Sequence, residues 1–87
     1  MRLARYVKFR EERFGGVLFE TRSEKVFTLN PTGAAVVREI AAGCAEADIA
    51  GRLKERFDDP GGSIEREVAA LMAELRDRGL VEDSPNA

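Results

Sequence analysis

The dipeptide Asn30-Pro31 splits the chain into two stretches of different periodicity, and that split limits the folds open to it. Ahead of it the apolar residues follow a strand pattern. Tyr6-Val7-Lys8-Phe9-Arg10 alternates apolar and charged side chains, as a half-buried strand does. Phe14-Gly15-Gly16 predicts a turn, since glycine accepts positive φ without steric cost. Val17-Leu18-Phe19-Glu20 reads as a second strand and Thr21-Arg22-Ser23-Glu24 as a polar hairpin connection. Lys25-Val26-Phe27-Thr28-Leu29, rich in β-forming residues, is the third strand. So short a sheet needs a helical cover to be stable.

Behind the split the pattern turns helical. Asn30 can cap a helix by accepting backbone N–H groups, and Pro31 at the first helical position gives up an N–H that would be unpaired anyway. The first helix runs to Ala42, with Val36, Val37 and Ile40 as its apolar face and Gly43 as its stop. Glu46 to Phe57 carries Ile49, Leu53 and Phe57 on one stripe. Asp58-Asp59-Pro60-Gly61-Gly62 is a loop. The third helix starts with Ser63 as its cap and stops at Gly79, with Ile64, Val68, Leu71 and Leu75 as the expected core stripe. Leu80-Val81 is expected to fold back onto that core. The resulting expectation is an α+β, winged-helix-like domain: a three-stranded antiparallel sheet followed by three helices. It spans residues 1–82 as a single unit, and 83–87 form a flexible tail.

Composition narrows the chemistry. The 87 residues include no histidine, no tryptophan and a single cysteine. A histidine general base, a Cys/His zinc site and an internal disulfide are therefore impossible. Cys44 has no second thiol and no imidazole to activate it. Glu11-Glu12 and Asp58-Asp59 are neighbours in sequence, which on a strand face opposite ways and in a loop are more often turn formers. Gly15-Gly16 and Gly61-Gly62 lack the Lys and Ser/Thr of a phosphate loop. The expectation is a binding module without catalysis, metal or cofactor. The basic N-terminus is not followed by an apolar stretch of signal-peptide length, and the longest uncharged run, Val26 to Val37, contains Pro31 and Gly33. A cytoplasmic protein without a membrane span is expected.

Charge is uneven. Residues 1–25 hold seven basic against four acidic side chains, and the remainder seven against twelve, giving +3 and −5. A DNA-reading helix closes on phosphates with Arg and Lys. Residues 63–78 instead carry three Arg against Glu65, Glu67, Glu74 and Asp77, which argues against a nucleic-acid partner. The better candidate is a sheet edge, where unpaired N–H and C=O groups can take up a partner strand. Lys25 to Leu29 forms such an edge if the third strand is outermost and the third helix packs beside it. On that helix Met72, flanked by Ala69 and Arg76, is expected to wall an adaptable groove. A winged-helix transcriptional regulator and a homo-oligomer paired through the same edge, such as a homodimer, are the alternative readings.

The stretch Phe14-Gly15-Gly16-Val17-Leu18-Phe19, then Lys25-Val26-Phe27-Thr28-Leu29-Asn30-Pro31-Thr32-Gly33-Ala34-Ala35, resembles the PqqD-like family. Downstream, Ile49, Leu53 and Phe57, followed by Val68, Leu71, Leu75 and Gly79-Leu80-Val81, extend the likeness over residues 5–82. The resemblance implies a recognition element for the leader segment of ribosomally made, post-translationally modified peptides. Such an element binds the leader as an added antiparallel strand between the third strand and the third helix, and presents it to a modifying enzyme, often of the radical-SAM type. Carried onto this chain, the site residues are Lys25, Val26, Phe27 and Thr28 on the strand and Val68, Ala69, Met72 and Arg76 on the helix. An acidic leader would suit Lys25 and Arg76. Where the PQQ-pathway member has a Cys-Asp-Gly-type turn, this chain has Ala41-Ala42-Gly43-Cys44, which leaves the PQQ, mycofactocin and lasso-peptide pathways all open.

Overall fold

The computed structural model describes residues 1–57 and 61–82. The Asp58-Asp59-Pro60 part of the expected loop and the expected tail 83–87 lie outside the described residues. The elements are β1 (Arg2–Leu3), β2 (Val7–Glu12), β3 (Gly15–Glu20), β4 (Lys25–Leu29), α1 (Pro31–Ala41), α2 (Glu46–Arg56), α3 (Ser63–Asp77) and β5 (Val81–Glu82). Strands β2, β3 and β4 form an antiparallel sheet in that order, and β1 pairs with β5 separately. The α+β architecture of three antiparallel strands followed by three helices is as the sequence predicts.

The register explains the sheet's two faces. Phe9, Leu18 and Phe27 stand in one row on the helix side, where Leu18 is buried. Lys8, Phe19 and Val26 form a row on the opposite side, which is open to solvent. The expected Gly-Gly turn is not where the chain reverses. Glu12 pairs with Gly15, so Arg13-Phe14 makes a two-residue turn and both glycines lie within β3. Their size matters for packing. A Cβ on Gly15, whose φ is 142°, would sit 2.2 Å from the Leu29 carbonyl oxygen. One on Gly16 would sit 2.8 Å from the Phe9 ring and 3.3 Å from the Ala34 Cβ. The glycines therefore let β3 pass directly beneath the β4–α1 junction.

That junction forms as its sequence dictates. The Asn30 side chain accepts the Gly33 N–H at 2.7 Å, Pro31 opens α1, and Gly33, Ala34 and Ala35 allow the helix to lie close on the sheet. Val36, Val37 and Ile40 are buried, each contributing about 1.5–3 kcal/mol relative to exposure. α2 adds Ile49 and Leu53, and α3 adds Ile64, Val68, Met72 and Leu75. The core seam on α3 thus passes through Met72, and Leu71, expected there, lies half-buried beside it. Ser63 is the first residue of α3 rather than its cap, a position that Gly62 takes.

Leu80 and Val81 do fold back and are buried. The return is fixed by contacts not legible in the sequence: β5 pairs with β1, the Ala4 N–H donates to the Leu80 carbonyl at 3.0 Å, and the Tyr6 hydroxyl donates to the Gly79 carbonyl at 2.8 Å. Glu39, on α1, is the buried charged side chain among the described residues, and it faces Arg52 at 3.8 Å and Arg56 at 3.6 Å on α2. Removing that charge leaves two half-exposed arginines that water can solvate. Glu39→Gln is expected to lower stability by about 1 kcal/mol, read from urea unfolding, without changing the fold.

Candidate functional site

The sheet order leaves two edges, and they differ chemically. On β2 the outer positions Lys8 and Arg10 are charged, Arg10 pairs with Glu12 at 2.6 Å, and Glu11 pairs with Arg38 of α1. Charged side chains of this kind discourage strand addition. The β4 edge carries Val26 and Thr28 on its open face and Phe27 and Leu29 on the helix side. Between β4 and α3 the two elements stand apart, and the gap is a groove.

Phe27 divides the groove into two cavities. The larger, about 390 Å³, is bounded by Phe27, Thr28 and Leu29 of β4, by Thr32 and Val36 of α1, and by Glu67, Ala70, Leu71 and Glu74 of α3. The smaller, about 130 Å³, is bounded by Leu18, Glu20, Lys25, Val26, Phe27, Arg78 and Leu80. The Arg78 guanidinium lies over the Phe27 ring, 5.0 Å from its centroid, and also pairs with Glu74 at 3.2 Å. The Ser23 hydroxyl and backbone N–H both donate to Glu20, which holds that carboxyl below its ordinary pKa and ionised at neutral pH.

Lys25, Val26, Phe27 and Thr28 therefore come together along one side of this groove. The expected helix wall does not. Val68 and Met72 are buried in the core. Ala69 borders a shallow hollow shared with Glu46, Ala47 and Ala50 of α2, and Arg76 reaches the same way to bond Glu46 at 3.0 Å. All four belong to the core or to the α2 side of α3. The wall facing β4 is Glu67, Ala70, Leu71 and Glu74, the next stripe round the helix. Arg78, rather than the expected Arg76, is the arginine that borders the groove. A signal for this lay in the charges: Glu65 and Arg76 have complementary partners, Lys54 and Glu46, on α2. Those pairs mark the α2-facing side.

Cys44 is half-buried, with its Sγ donating to the Ala45 carbonyl at 3.5 Å. Among the described residues no three His, Cys, Asp or Glu side chains gather as a metal ion would need. No helix among them is long and apolar enough to cross a membrane.

Residues 15–81 match the family described as coenzyme PQQ synthesis protein D, PqqD. The chain belongs to the PqqD family. The matched segment begins at Gly15 and ends at Val81, so it contains both glycines, the Asn30-Pro31 junction and both walls of the groove. A lasso peptide synthetase B1 solved in complex with the leader peptide superposes on this PqqD-family chain with a TM-score of 0.78. The two share 29% identity, over 94% of this chain and 96% of that one. TbiB1, solved in complex with the TbiA(beta) leader peptide, superposes with a TM-score of 0.82 over 97% and 98% of the two chains. At 17% identity that likeness shows the fold. No curated protein matches the chain by sequence.

Proposed function

We propose that this chain binds the leader segment of a ribosomally made precursor peptide as an added antiparallel strand on β4 and presents it to a modifying enzyme. The observation that carries the reading is a β4 edge that, among the described residues, has no partner strand, beside a groove whose far wall sets Ala70 and Leu71 between Glu67 and Glu74. Backbone pairing along Lys25–Leu29 supplies sequence-independent affinity, and the cavities on either side of Phe27 receive alternate side chains and supply selectivity. Membership of the PqqD family and the leader peptides in both structural neighbours support it. On this reading the role is non-catalytic, because strand pairing along β4 works through backbone N–H and C=O groups and needs no reacting side chain. The binding residues on this reading are Lys25, Val26, Phe27 and Thr28 of β4, with Glu67, Ala70, Leu71 and Glu74 opposite. The radical-SAM type of partner enzyme rests on the sequence resemblance; the lasso peptide synthetase neighbour supports a peptide-processing partner in general.

A nucleic-acid role is disfavoured by α3, where Arg76 and Arg78 already pair with Glu46 and Glu74. Selection of a displayed library of short random peptides on the intact protein, beside titration with duplex DNA at low and high salt, separates the two. Enrichment of peptides without DNA binding is expected. Steeply salt-dependent DNA binding with no enriched peptide would replace this reading with a regulatory one.

A further inference from the structure

The groove is electrically polar along its length. The larger cavity brings two carboxylates, Glu67 and Glu74, to the end of β4 that leads into α1, and none of its lining residues among those described is a cation. At the other end the smaller cavity brings Lys25 and Arg78 together; Glu20, bonded by Ser23, borders the same cavity, and Glu74 reaches Arg78 from the larger one. Arg78 divides its charge between the ends by pairing with Glu74 over the Phe27 ring. Glu67 and Lys25 are both exposed and stand at opposite ends.

On the strand-addition reading, on which this rests, we infer that the groove selects an extended peptide by the order of its charges, with a cation N-terminal to an anion. Because β4 runs from Lys25 to Leu29, an antiparallel partner enters with its N-terminal half beside Leu29 and the two glutamates. Its C-terminal half lies beside Lys25 and Arg78. Side chains of an extended strand face the groove at every second residue. The span from Lys25 to Leu29 is about 14 Å at about 3.4 Å per residue, room for groove-facing positions i, i+2 and i+4. The predicted pattern is Lys or Arg at i, an apolar residue at i+2 and Asp or Glu at i+4. A long basic side chain suits the larger cavity, its aliphatic stem on Leu71, Ala70 and Val36 and its head at Glu67. A short acid suits the smaller one. The basic residue distinguishes this partner from the purely acidic one that Lys25 alone suggests.

The test is the composition of displayed peptides enriched on the wild-type protein and on the double variant Glu67→Lys/Lys25→Glu. Both side chains lie outside the core, so an unchanged melting temperature serves as the folding control. Wild-type protein is expected to enrich the cation-first order, and the double variant to enrich the reverse. For a wild-type-selected peptide, reversing its charges should weaken binding to the wild-type protein about tenfold, a difference that shrinks in 1 M salt. Peptides that bind but show no charge order, or show the anion-first order on wild-type protein, overturn this inference and leave the groove reading standing. Absence of any enriched peptide overturns both.

Discussion

Met72→Ala is expected to lower the unfolding free energy by about 2–5 kcal/mol, because it empties a fully buried site in the core to which Ile49, Leu53 and Leu75 also belong. The adjacent substitution, Leu71→Ala, should cost only about 1 kcal/mol, since that side chain is half-buried. Binding should respond the other way round. Leu71→Ala removes apolar wall from the larger cavity and is expected to weaken peptide affinity about tenfold, whereas Met72→Ala should leave the affinity of the folded fraction nearly unchanged. Urea unfolding and a calorimetric titration of both variants decide the matter. A stable Met72→Ala protein that has lost peptide binding would return the groove to the Val68, Ala69, Met72 and Arg76 side of α3.

Gly15→Ala is the second large effect. The added methyl would lie 2.2 Å from the Leu29 carbonyl oxygen at a φ of 142°, so either the hairpin or the β4–α1 junction must shift. Strain of that kind costs about 3 kcal/mol or more. For a domain of this size about 3 kcal/mol corresponds to a fall of roughly 12–24 °C in melting temperature. Gly51→Ala is the internal control, because a Cβ there meets nothing within 4 Å on the exposed side of α2. That change should raise stability by about 0.5–1 kcal/mol through helix propensity. Equal melting temperatures for the two variants would show that β3 does not need glycine at its closest approach to Leu29. Because Gly15 packs against the end of β4, its loss should also loosen the edge that the peptide uses.

The same two regions show what could be read from the chain. The edge strand was legible because Lys25–Leu29 is a continuous β-forming run ended by Asn30-Pro31, whose capping chemistry is local. The wall of the groove was not. Leu71 and Met72 lie about 100° apart on α3, and either completes an i, i+4 pattern from Ile64 and Val68 to Leu75. Which of them faces the core depends on where α2 packs, a tertiary fact that only the Glu46–Arg76 and Lys54–Glu65 pairs foreshadow. The commonest local use of Gly15-Gly16 is a turn, while here the pair serves a long-range close approach. β1 and β5 are two residues each, too short to carry a period.

The central claim, that a peptide pairs with the β4 edge, is tested most directly by residue-resolved amide hydrogen exchange of the intact protein with and without an enriched peptide. Slower exchange is predicted at the outward-facing amides of Lys25–Leu29, with smaller effects at Ala70, Leu71 and Glu74 and none along the Val7–Glu12 edge. Protection of β2, or of the α2–α3 hollow around Ala47 and Ala69, with β4 unchanged, would contradict it.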